Sequence, residues 1–209
     1  MSARIKICGL TRAEDAALAH AAGAWALGFI FYPKSKRFIT PAAAAKIAPE
    51  GAQTVGVFVN QMPEIAAALK TFPLTSVQLH GDETPDDTCA LRGIFSGTII
   101  KAFRLQNETN LPQLAAWQGV ADYVLIDAVV AGQYGGTGQT ADWTLALHAK
   151  DCGIPLILSG GITAENIEAA AQSVAPFAFD LAGGVEGAHG IKDAAKINQL
   201  FETSRRIQP

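Results

Sequence analysis

The chain has 209 residues, enough for one well-buried domain and too few for two comfortable ones. Apolar residues make up 49% against 17% charged, which excludes a disordered or coiled-coil chain. A formal net charge of -3 without a basic run argues against nucleic-acid binding, and no apolar run reaches the ~18 residues of a membrane span.

Arg4 and Lys6 interrupt the only apolar stretch near the start, so no secretory signal is expected. The three cysteines, Cys8, Cys89 and Cys152, are odd in number and include no Cys-x-x-Cys pair. Neither disulfides nor a zinc site is expected, and a reducing cytoplasm is the simplest location.

Along the chain, β-rich runs alternate with Ala-rich helical stretches. Strands are predicted over 5–8, 26–31, 54–59, 76–80, 98–103, 123–127, 155–159 and 177–182. Helices are predicted over 13–22, 42–48, 63–70, 85–92, 111–117, 141–150, 164–173 and 192–205. Thr40-Pro41 and Thr84-Pro85 each set a capping hydroxyl before a proline, and Thr163-Ala164-Glu165 opens another helix. Such alternation implies parallel strands joined by right-handed crossovers. Eight units of about 26 residues suit a single (β/α)8 TIM barrel spanning residues 1–209. An open doubly wound sheet is the rival, but no Gly-x-Gly-x-x-Gly follows the first strand.

Barrel enzymes place their chemistry at the C-terminal ends of the strands. In order, those ends read Cys8, Phe31, Asn60, His80, Arg104, Asp127, Ser159-Gly160-Gly161 and Ala182-Gly183-Gly184. Strand alternation puts Lys6 and Cys8 on one face, opposite Ile5 and Ile7. Cys8 is then either a small buried hydrophobe or a thiol delivered to the mouth, with Lys6 an interior cation below it.

Arg37, in the loop after strand two with Lys34 and Lys36 beside it, belongs either to a solvated basic loop or to a fork for a substrate carboxylate. His80 shares a face with Ser76 and Gln78 and is a candidate to line the site; no histidine spacing suggests a metal. Asp127 closes the apolar run Tyr-Val-Leu-Ile, where lost solvent raises a carboxyl pKa and suits a general acid; a loop-capping Asp is the alternative. The glycine-rich stretch 131–143 reads as a lid or as a plain crossover. Two glycine pairs, Gly160-Gly161 and Gly183-Gly184, follow strands seven and eight, where barrels frequently bind phosphate; turn glycines are the alternative.

In order and spacing, "KICGLT", "GFIFYPKSKR", "VGVFVN", "VQLHG", "LID" with "YGGTG", "LSGGI" and "GVE" resemble the phosphoribosylanthranilate isomerase family of tryptophan biosynthesis. The resemblance covers nearly the whole chain. It implies an aldose–ketose isomerase that takes a small phosphorylated substrate through an Amadori rearrangement, with no cofactor and no metal. By the same resemblance Cys8 is the general base and Asp127 the general acid. Arg37 holds the anthranilate carboxylate, and Gly160, Gly161, Gly183 and Gly184 form the phosphate cradle. Lys6 is expected to push the Cys8 pKa down. No nucleic-acid or membrane partner is implied, and a monomer and a homodimer are both compatible with the sequence.

The chain departs from the family at Ala182-Gly183-Gly184, where two serines commonly precede the second glycine, and at Ala141, where an aromatic is common. The related ProFAR isomerase, a silent phosphate-binding barrel and a metal-dependent hydrolase are the competing readings. Cys8 argues against the first, Cys8 with Asp127 against the second, and scattered histidines against the third.

Overall fold

A computed structural model describes residues 3–105, 107–127 and 143–207. Eight parallel strands close into a barrel in chain order: β1 Ile5–Ile7, β2 Ala26–Ile30, β3 Thr54–Phe58, β4 Ser76–Leu79, β5 Thr98–Phe103, β6 Tyr123–Asp127, β7 Leu156–Ser159 and β8 Ala178–Leu181. The barrel shuts where β1 pairs with β8, Lys6 lying opposite Asp180. Around it run helices α1 Ala13–Ala22, α2 Pro41–Ile47, α3 Met62–Thr71, α4 Pro85–Arg92, α5 Thr144–Ala149, α6 Ile167–Val174 and α7 Ala194–Ser204.

The strands read as near-continuous apolar runs because both faces are covered. Val55, Ile100, Ala102, Leu125, Ile157 and Ala178 fill the interior. The alternate residues, such as Ile5, Ile7, Phe29, Leu79 and Leu158, pack outward against the helices. At the N-terminal end Trp25, Tyr123 and Phe177 stop the barrel, their ring centroids 4.7 to 5.8 Å apart, with the Arg4 guanidinium 4.4 Å over Phe177. The opposite, C-terminal end stays polar.

Thr40 and Thr84 cap α2 and α4 as expected, the second through a full capping box with Asp87. Three predicted helices change. The stretch between β5 and β6 is a 3-10 helix, Glu108–Trp117, with Pro112 inside it, which has no N–H to give to a helical ladder. The helix expected from 164 begins at Ile167, since Asn166 folds back to accept from Thr163 N and to donate to the Gly161 carbonyl. The last helix begins at Ala194, capped by Asp193, because the chain first makes a hairpin of β9 Glu186–Ala188 and β10 Ile191–Lys192. The predicted lid region and Ala141 lie outside the described residues, apart from Trp143. Among the described residues no helix is long and apolar enough to cross a membrane.

Candidate active site

The C-terminal mouth brings most of the sequence-predicted residues to one seam, where β1 meets β8. Cys8 follows β1 directly, is buried, and donates its backbone N–H to the Leu181 carbonyl of β8 at 2.8 Å. Room for its side chain comes from the neighbouring strand. A Cβ on Gly28 would sit 2.7 Å from the Cys8 sulfur.

The next residue, Gly9, has φ +73°, and a side chain there would collide with Cδ of Arg37. Its bare Cα is what lets the Arg37 stem cross the end of β1. The guanidinium then meets Glu186 in a two-pronged ion pair, Nε to Oε1 and Nη2 to Oε2, each 2.6 Å. That pairing holds the Arg37 proton more firmly than usual.

The two glycine loops also meet. A Cβ on Gly184 would collide with the Ile162 carbonyl of the preceding loop, and one on Gly183 would lie 3.6 Å from Arg37 Nη2. Gly160 and Gly161 have φ of 92° and 66°, a conformation that favours glycine. Gly183–Val185 forms one 3-10 turn. The structure therefore sets Cys8, Arg37 and both glycine pairs round one rim.

Below the thiol, Lys6 is wholly buried and donates to Asp180 Oδ1 at 2.8 Å. Burial would strip its proton, but Asp180 and Cys8 more than offset that. Lys6 does pull the Cys8 pKa down, as expected, but the net shift is upward. Burial pushes the thiol pKa up, and Lys6 and Lys192 pull it back only in part, while Asp180 raises it further. Burial is the larger effect, and Asp180, paired with Lys6, offsets part of the pull of that lysine.

Asp127 keeps the predicted direction. It ends β6, three strands round the barrel from β1, beside Ser159 in register. Burial raises its pKa, Arg104 opposes this, and Asp180 adds to it. His80 stands at the end of β4 with Nδ1 2.8 Å from Gln78 Nε2. Burial, with the charge of Arg104, pulls it down to about 4, so it is neutral at pH 7. It borders a cavity of about 600 Å³ that continues outward over Arg104, Lys101 and Trp117.

Several charged residues were not foreseen. Asp180 could have been found from alternation, as the one charged residue within Phe177–Leu181. Glu186 stood in a quoted motif without a role, and Lys192 was assigned to a helix. Lys192 Nζ in fact donates to the carbonyls of Cys8 (2.7 Å) and Ala182 (3.0 Å) and to Glu186 Oε1 (3.0 Å). Lys101 and Glu83 form a buried pair at 2.8 Å on the far rim. Among the described residues no three His, Cys, Asp or Glu side chains gather as a metal site would require.

The sequence model of the family described as N-(5'-phosphoribosyl)anthranilate isomerase matches residues 5–203. A relative of that name from Geobacter sulfurreducens is 43% identical over 206 residues, covering 97% of this chain and 98% of its own. The crystal structure of phosphoribosyl anthranilate isomerase from Thermotoga maritima superposes with a TM-score of 0.87 at 38% identity, covering 97% of this chain and 98% of its own. A further structure of such an isomerase, in complex with reduced 1-(o-carboxyphenylamino)-1-deoxyribulose 5-phosphate, gives 0.84 at 36% identity over 97% of this chain and 98% of its own.

Proposed function

The chain belongs to the N-(5'-phosphoribosyl)anthranilate isomerase family, and on that premise we propose how its own residues carry out the isomerisation of tryptophan biosynthesis. The observation that carries the reading is the convergence of Cys8, Arg37 and both glycine loops on one rim, with Asp127 across the mouth.

The phosphate is held by main-chain N–H groups of the loops at Gly160-Gly161 and Gly183-Gly184, without the serine hydroxyls common in the family. Arg37 takes the anthranilate carboxylate. Asp127, its pKa raised by burial, gives its proton to the ring oxygen as the C1–O4 bond breaks and the nitrogen lone pair closes a C=N bond. The Cys8 thiolate removes the C2 proton, and the electrons of that bond flow toward nitrogen to give an enol–enamine. A proton returned to C1 and one lost from O2 complete the ketose, so the product is an isomer of the substrate. No cofactor enters this sequence, because the nitrogen of the substrate is its own electron sink. Every residue in these roles comes from one chain.

The raised thiol pKa shapes the pH dependence. Activity requires Asp127 with its proton and Cys8 without, and Cys8 has the higher pKa. The active form is then a minor but constant fraction at every pH between the two pKa values. It falls away below the pKa of Asp127, as the thiolate becomes rarer, and above that of Cys8, as protonated Asp127 becomes rarer.

The test is the loss of substrate fluorescence when the protein meets N-(5'-phosphoribosyl)anthranilate generated in situ. Cys8→Ala and Asp127→Asn should each lower kcat by about 10²- to 10⁴-fold. Bound ligand without turnover in the wild type would leave only a silent phosphate-binding barrel.

A further inference from the structure

We propose that Glu186, anchored by Lys192, is a positioning residue that aims the free edge of the Arg37 guanidinium at the substrate carboxylate, and thereby sets the preference for an arylamine carrying that group. The inference rests on the reading of Arg37 above and deepens it.

A guanidinium offers two forked edges, Nε with Nη2 and Nη1 with Nη2. Glu186 occupies the first with both oxygens at 2.6 Å. The plane of the guanidinium is thereby fixed, and the Nη1 edge remains for a second carboxylate. Glu186 itself has little freedom, its side chain being 6% exposed with Oε1 shared between Arg37 and Lys192.

Lys192 is an equally firm anchor. Its side chain is wholly buried, and its three ammonium protons match three acceptors: the Cys8 and Ala182 carbonyls and Glu186. Its backbone N–H donates to buried Asp15 at 3.0 Å. One lysine thus ties the strand end that carries the thiol, the loop that follows β8 and the carboxylate that grips Arg37.

Charge favours the same assignment. Arg37 and Lys192 bring two positive charges and Glu186 one negative, so the cluster keeps a net +1 toward an anionic substrate. Arg37 alone, crossing the bare Cα of Gly9, would be a long flexible side chain. Held by Glu186, its entropy of ordering is met before substrate arrives.

The test compares two ligands by titration calorimetry: a reduced, unreactive product analogue and the same molecule lacking the ring carboxylate. Wild type should prefer the carboxylated form by about 10- to 100-fold, the range of a bidentate charged contact. Arg37→Ala should bring that ratio close to one. Glu186→Gln, which keeps the size of the side chain, should lower the ratio at least about fivefold while the carboxylate-free ligand keeps its affinity within about threefold. Lys192→Met should act in the same direction, and if it does not fold, Glu186→Gln still decides.

An unchanged ratio in Glu186→Gln, with both ligands weakened alike, would reduce Glu186 to structural support and overturn the inference. A ratio that rises would make Glu186 a competitor for Arg37, which also overturns it. A ratio that Arg37→Ala does not alter would remove the Arg37 reading itself, and this one with it.

Discussion

Replacing Gly28 by alanine is the sharpest probe of the thiol's role. The new methyl would lie 2.7 Å from the Cys8 sulfur, 3.1 Å from its Cα and 3.2 Å from its Cβ. Unstrained contacts between such atoms are near 3.5–4.0 Å, so the sulfur is short of room by about 1 Å. A rotation about χ1 would relieve only the sulfur; the backbone contact remains, so the end of β1 must also shift by a few tenths of an ångström.

Overpacking of this kind costs about 1–3 kcal/mol of stability. A reacting atom displaced by ~1 Å costs about 10²-fold in rate. Urea unfolding should therefore show a modest loss in Gly28→Ala while substrate fluorescence shows kcat/KM down by about two orders of magnitude. Pairing the change with Cys8→Ala removes the atom that the methyl strikes. The stability cost of Gly28→Ala should then shrink by about 0.5–3 kcal/mol, the coupling expected of touching groups. A Gly28→Ala protein with kcat/KM within threefold of wild type would refute the reasoning, because a misplaced base cannot leave the rate intact.

Two further outcomes follow from the buried charges. The kcat/KM profile should show a flat plateau whose acidic limb belongs to Asp127, above the ordinary carboxyl range, and whose alkaline limb belongs to Cys8, above the ~8.5 of a free thiol; an acidic limb that Asp127→Glu fails to move would contradict it. Lys101→Met should destabilise the fold by about 3 kcal/mol in urea unfolding and Glu83→Ala by more, toward ~5 kcal/mol. The order follows from the contacts, since Glu83 also accepts from the N–H groups of Asn60 and Gly81, which its loss would strand; equal or reversed losses would argue against it.

The barrel was legible because its signal is local. Each strand is a short apolar run, each helix an Ala-rich one, and Thr40 and Thr84 announce helix starts within three residues of what they bind. Strand alternation was enough to place Lys6 and Cys8 on the inner face and to put Asp127 at a mouth. The 3-10 helix at Glu108–Trp117 was legible only as a helix over 111–117. The short hairpin of β9 and β10 carried no usable period, being three residues against two.

What the sequence concealed was mostly long-range charge pairing across the barrel seam. Lys6 finds Asp180 across 174 residues, Arg37 finds Glu186 across 149, and Lys192 reaches the Cys8 carbonyl across 184. These separations exist because a closed barrel joins its first strand to its last, and that is where the thiol sits. The same closure explains why the pull of Lys6 on Cys8 does not win. Read alone, a lysine two residues from a cysteine is a nearby cation. Once β8 delivers Asp180 beside it, the lysine is half of an ion pair, and burial is left to dominate the thiol. Lys192 is the second and weaker cation acting on that thiol, itself paired with Glu186 at 3.0 Å, and it arrives from the opposite end of the chain.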